Sequence, residues 1–77
     1  MKNRSRLDIA AEILVAATES TLKTKIMYAA SISFGMLNEY LSELIDNNML
    51  DYDPKKRQYK TTDKGNEFLT KYLKLKI

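Results

Sequence analysis

Lys55, Lys56, Arg57 and Lys60 fall within six consecutive positions, just after the only proline, Pro54. Cations at that density suit the binding of phosphate oxygens, lysine as a point charge and arginine through its planar fork. Little else in the chain is equipped for chemistry. There is no cysteine, so there is no thiolate nucleophile, no disulfide framework and no Cys-ligated zinc or iron–sulfur cluster. There is no histidine, which removes the commonest general base and the commonest transition-metal ligand. Carboxylates, Lys, Ser, Thr and Tyr remain, in a chain too short to enclose a pocket easily. No enzymatic activity, cofactor, metal or small-molecule substrate is expected.

The charge is unevenly distributed. Residues 1–32 carry five bases and three acids, residues 33–53 five acids and no base, and residues 54–77 eight bases and two acids. A net charge of +3 therefore conceals a basic head, an acidic middle and a strongly basic tail. Such asymmetry suits a polyanionic partner touched by some faces and not others.

The elements that must position these charges are legible from pattern. With 77 residues, 44% apolar and 30% charged, the chain is expected to form one domain, residues 1–77. A domain this small buries only about 60–65% of its unfolded surface, so dimerisation is a natural support. No apolar run reaches the length of a membrane span, and the basic start lacks the apolar stretch of a secretory signal, so a cytoplasmic protein is expected.

A first helix is predicted from Ser5 to about Thr18, with Ser5 and Asp8 as a capping box and Leu7, Ala10, Ile13, Leu14 and Ala17 as its apolar face. Leu22-Lys23 reads as a very short strand. A second helix follows from Thr24 to Ala30, with Ile26, Met27 and Ala30 inward. Ser31-Ile32-Ser33 is a tight turn, and Ser33 caps a third helix over 34–47. Phe34, Leu37, Leu41, Leu44 and Ile45 recur at its helical period, with Tyr40 beside them. Asn47-Asn48 ends it, because Asn tolerates the left-handed conformation that usually falls to glycine.

The period then changes to two. Residues 49–61 read as a β-hairpin with a type I turn at Asp53-Pro54-Lys55-Lys56, a register that sets Leu50 opposite Tyr59. Tyr52 and Tyr59 share the face of Leu50 and are expected on the core, as are Tyr28 and Tyr40 in core or rim. Thr62 caps a last helix, 62–77. The fold class is mainly α with a small hairpin (α+β). The order helix, helix, turn, helix, hairpin, helix is that of a winged helix-turn-helix, with its helix-turn-helix at about 24–47.

Several stretches resemble small archaeal winged-helix DNA-binding proteins, the 10a-type chromatin proteins and related predicted transcriptional regulators. They are Arg4-Ser5-Arg6-Leu7-Asp8-Ile9, the run from Thr24 to Phe34, Leu37 with Tyr40-Leu41, and Tyr59-Lys60-Thr61-Thr62-Asp63-Lys64-Gly65. The resemblance covers nearly the whole chain and implies a winged-helix fold, binding to double-stranded DNA and dimerisation through the C-terminal helix. Two features depart from the family. Gly35, Asn38 and Glu39 stand where members often carry lysines, and the last helix is shorter than the family's coiled-coil helix.

On that frame Ser31, Ser33, Gly35, Met36, Asn38, Glu39 and Ser42 are expected to face the major groove, where Asn reads adenine and Ser reaches phosphate. Taken without the fold, they are ordinary solvent-facing residues in an acidic segment. Lys55, Lys56, Arg57 and Lys60 are expected to reach phosphates or the minor groove from the hairpin. Arg4, Arg6, Lys23 and Lys25 are candidate phosphate clamps. Phe68, Leu69, Tyr72, Leu73, Leu75 and Ile77 spread over more of the last helix than one core requires, and are expected at a homodimer interface. The resulting expectation is a DNA-binding dimer, regulator or architectural, associated with the nucleoid. The alternative is a winged-helix protein-interaction module that offers its acidic helix to a basic partner.

Overall fold

The computed structural model describes residues 4–75. Its elements are α1 (Arg6–Ala16), β1 (Thr21–Leu22), α2 (Lys23–Ala30), α3 (Phe34–Asp46), β2 (Leu50–Asp53), β3 (Gln58–Thr61) and α4 (Asp63–Leu75). The order of elements is the expected one. The short strand lies one residue earlier than expected, because Lys23 opens α2. It adds a third, antiparallel strand to the hairpin, and the sheet order is β1-β3-β2.

Local chemistry sets the helix ends. The Ser5 hydroxyl accepts from the Asp8 amide, and the Asp8 carboxylate accepts from the Ser5 amide, completing the capping box. The Ser33 and Thr62 hydroxyls accept from the amides of Met36 and Gly65, satisfying donors that α3 and α4 leave open. Two helices end in a Schellman arrangement with a non-glycine residue in the left-handed region. At the end of α2, Ser31 has φ 53°, with its amide on the Tyr28 carbonyl and the Ile32 amide on that of Met27. At the end of α3, Asn48 has φ 62°, with its amide on Ile45 and the Met49 amide on Leu44.

Ile13, Leu14, Ile26, Leu37 and Leu50 form the fully buried centre, one or two from each of α1, α2, α3 and β2. The face expected for α1 needs correction. Leu7 is 56% exposed, while Ile9 and Ala11 are buried. The cause is that α1 is the central helix, packed by α2, α4 and β3 at once. A helix enclosed on several sides has no single apolar stripe, and Leu7 in its first turn lies beyond its neighbours.

The hairpin register also differs. Leu50 pairs with Thr61, Tyr52 with Tyr59 and Asp53 with Gln58. The loop therefore holds four residues, Pro54 to Arg57, two more than a two-residue turn. The Asp53 carboxylate accepts the amides of Lys55 and Lys56, and Arg57 closes the loop at φ 53°. A shift of two residues preserves the face of every side chain, so Leu50, Tyr52, Tyr59 and Thr61 still point the same way. Tyr59 packs on the core, but Tyr52, nearer the tip, is 43% exposed and packs on Tyr59 with ring centroids 4.7 Å apart and the rings tilted by 40°. Burial and the neighbouring Tyr52 push the Tyr59 phenol above its usual pKa.

Two contacts anchor the wing to the helical body. The buried Thr61 hydroxyl donates to the Leu14 carbonyl at 2.6 Å, and its amide donates to Ala17 at 2.9 Å. On the other side, Gly65 lets the first turn of α4 press against the hairpin's entry. A Cβ at this position would stand 2.4 Å from the Met49 carbonyl oxygen.

Candidate nucleic-acid interface

The turn Ser31–Ser33 aims α3 outward, burying Leu37, Tyr40, Leu41 and Leu44 and exposing the remainder. At about 100° per residue the exposed side divides into two stripes. Phe34, Gly35, Asn38, Ser42 and Ile45 lie within about 100° of one another and carry no charge. Glu39, Glu43 and Asp46 form the other stripe. Met36, expected beside Asn38, lies about 160° round the helix from it, so those two do not share a contact line. The acids of α3 are thus displaced to one of its flanks, and the segment's other two, Asp51 and Asp53, lie on β2.

Each flank has a basic neighbour. On the acidic side, the Arg6 guanidinium donates to Glu43 at 2.6 Å and sits 4.8 Å from the centre of the Tyr40 ring. The Glu43 pair raises the Arg6 pKa further above its ordinary value. On the uncharged side, the Lys23 ammonium rests 4.3 Å above the Phe34 ring. Phe34, expected in the core, is 52% exposed because it occupies the first helical position, ahead of the buried stripe. It serves as a shelf that holds the lysine beside Asn38's stripe. Sequence reasoning missed this contact, because its partner Lys23 stands on α2.

The candidate bases separate into two groups. Arg4 donates to Glu12 at 2.7 Å, to the Ala30 carbonyl, and to the Ser31 carbonyl at 3.1 Å. Arg4 and Arg6 are therefore paired with groups of their own chain, although the Arg6 side chain remains 64% exposed. Lys55, Lys56 and Arg57 are exposed at the wing tip and have no ion pair among the described residues. Lys60 stands opposite Asp51 in the register, on the outer sheet face. Lys25 is exposed on α2. Tyr28, expected in core or rim, is 76% exposed, because it faces away from the buried Ile26 and Ala30.

The expected dimer residues also separate. Leu69 is buried in the chain's own core, Phe68 and Tyr72 pack against that core, and the Tyr72 hydroxyl donates to Asp8 on α1. Leu73 and Leu75 are exposed, and Ile77 lies outside the described residues. Leu73 borders an apolar groove of about 340 Å³ where α1, α4 and the end of α2 meet, which Ala11, Val15 and Ala29 also line together with the carboxylates Asp8 and Glu12. No helix of the described residues is long and apolar enough to cross a membrane.

Comparison with known proteins agrees with this architecture. Residues 3–77 match the sequence model of the winged helix-turn-helix family. The crystal structure of Sso10a-2, a DNA-binding protein from Sulfolobus solfataricus, is similar in fold, with a TM-score of 0.84 at 23% identity. The similarity covers 95% of this chain and 82% of that one. No curated protein sequence matches.

Proposed function

Since this chain belongs to the winged helix-turn-helix family, we propose that it binds duplex DNA through α3 and the tip of its wing. The observation that carries this reading is the contrast among its bases. Lys55, Lys56 and Arg57 project from the hairpin without an internal ion pair, while the acids of α3 keep to the flank that Arg6 partly neutralises. Asn38 and Ser42 then meet base edges in the major groove, Lys23 meets a phosphate beside them, and the wing tip meets the backbone or the minor groove. The description of Sso10a-2 as DNA-binding supports the same reading. A cytoplasmic, nucleoid-associated protein is part of this reading.

The proposal extends to a homodimer built on α4. Leu73 and Leu75 of one copy cover the α1–α4 groove of the other, and Lys71 and Lys74 approach its Asp8 and Glu12. Sedimentation velocity at micromolar concentration tests this, with a dimer expected and a monomer for Val15→Glu or Leu73→Lys. A wild-type monomer overturns it.

The test of DNA binding is a titration of unrelated duplexes at several salt concentrations. Affinity is expected to fall steeply with salt, by about 0.9 in log–log slope for each phosphate contact. Equal affinity for all duplexes identifies an architectural protein, and one preferred site a regulator. No binding at low salt overturns the proposal and favours a protein-interaction module that uses the Glu39–Glu43–Asp46 stripe.

A further inference from the structure

We propose that Arg4 is a positioning residue for α3, which holds the turn between α2 and α3 and thereby sets the angle at which α3 is presented. This deepens the DNA-binding reading and rests on it for one of its two readouts.

One guanidinium joins three groups. Its Nη1 donates to Glu12 on α1 and to the Ala30 carbonyl, and its Nη2 donates to the Ser31 carbonyl. The last turn of α2 contains no basic residue of its own. Arg4 therefore supplies, from outside the helix, the positive charge that a helix C-terminus favours.

The residue it grips is the least relaxed in the turn. Ser31 has φ 53° and ψ 51°, a region that a residue with a Cβ seldom adopts. Such a conformation persists only where its surroundings over-determine it. The two backbone bonds that close the turn are 3.2 and 3.4 Å, the second at the long limit of a hydrogen bond. Arg4 is the third tie, made to the carbonyl of Ser31 itself. Two residues later Ser33 caps α3 by accepting the Met36 amide. A rotation at Ser31 therefore swings α3 relative to α1 and the wing. With its terminal nitrogens engaged by a carboxylate and two carbonyls, Arg4 would have to break these ties to clamp a phosphate.

The test compares wild type, Arg4→Ala, Arg4→Lys, Ser31→Gly and Arg4→Ala/Ser31→Gly, at a temperature where circular dichroism shows each fully folded. Amide exchange at Ser31 and Ile32 reads the turn without DNA, and duplex titration over a salt series reads presentation. Arg4→Ala is expected to speed exchange at these amides and to weaken binding about tenfold, with the salt slope unchanged. Arg4→Lys should fall between, since one ammonium cannot span all three acceptors. Ser31→Gly should restore most of the binding lost in Arg4→Ala, because glycine adopts the left-handed conformation unaided.

A salt slope reduced by about 0.9 per protomer in Arg4→Ala would make Arg4 a phosphate contact and overturn the proposal. Unchanged exchange, or failure of Ser31→Gly to rescue, overturns it as well. If wild type binds no duplex, the DNA reading fails, and the exchange comparison alone still decides whether Arg4 holds the turn.

Discussion

At the head of the chain Arg4 and Arg6 end on Glu12 and Glu43, whereas at the wing tip Lys55, Lys56 and Arg57 end in solvent. Both regions look equally basic in a charge tally. The head bases lie against the helical body, within reach of acids on α1 and α3. The wing tip stands clear of the body, and its nearby acid, Asp53, accepts loop amides instead of pairing with a lysine. Formal charge and available charge are therefore different quantities, and only available charge attracts a phosphate backbone.

The comparison breaks most severely where the wing's support fails while its charges stay. Gly65→Ala drives a Cβ against the Met49 carbonyl, a backbone atom that cannot move aside easily. A loss of about 3 kcal/mol is expected, which in a domain of this size lowers Tm by about 12–24 °C in thermal unfolding. Gly35, exposed with nothing within 4 Å of its Cβ position, provides the control. Gly35→Ala should raise stability by about 0.5–1 kcal/mol through helix propensity alone.

Removing the wing's charges while retaining its fold is the next largest step. The triple substitution of Lys55, Lys56 and Arg57 by Ala is expected, for each protomer engaged, to weaken duplex binding about a hundredfold near 0.1 M salt and to reduce the salt slope by about 2.7. An unchanged slope would move the phosphate contact off the wing.

The smallest effects belong to the head. Arg6→Ala should leave the slope unaltered and weaken binding about threefold, because it uncovers the Glu43 carboxylate on α3. Glu43→Gln should act in the opposite direction, and the double variant should return near wild type. A slope reduced by Arg6→Ala would show that the head also contacts phosphate and would erase the difference between the two regions.

Much of the fold was legible in the sequence. Ser5, Ser33 and Thr62 marked the helix starts, Asn47-Asn48 marked an end, and the change of period at Met49 marked the wing. These signals are local, arising from side chains that hydrogen-bond within a few residues of their own position. The hairpin register was displaced by two, because Arg57 adopts a left-handed conformation with no glycine to announce it. The face of α1 was misread, because alanine-rich helices packed on several sides lack a stripe. In the candidate site, the wing cluster stood out by density alone. The roles of Arg4, Arg6 and Phe34 did not, since each depends on a partner from another element.

Sequence by itself determined the order of elements, their caps and the sign of each segment's charge, because periodicity and capping act over one or two turns of chain. Tertiary structure alone decided which charges face outward. Arg4 meets Ser31 across 27 residues and Arg6 meets Glu43 across 37. No local pattern encodes those meetings. They follow from helices packing on a shared core, which brings distant side chains within the few ångströms over which hydrogen bonds and ion pairs form.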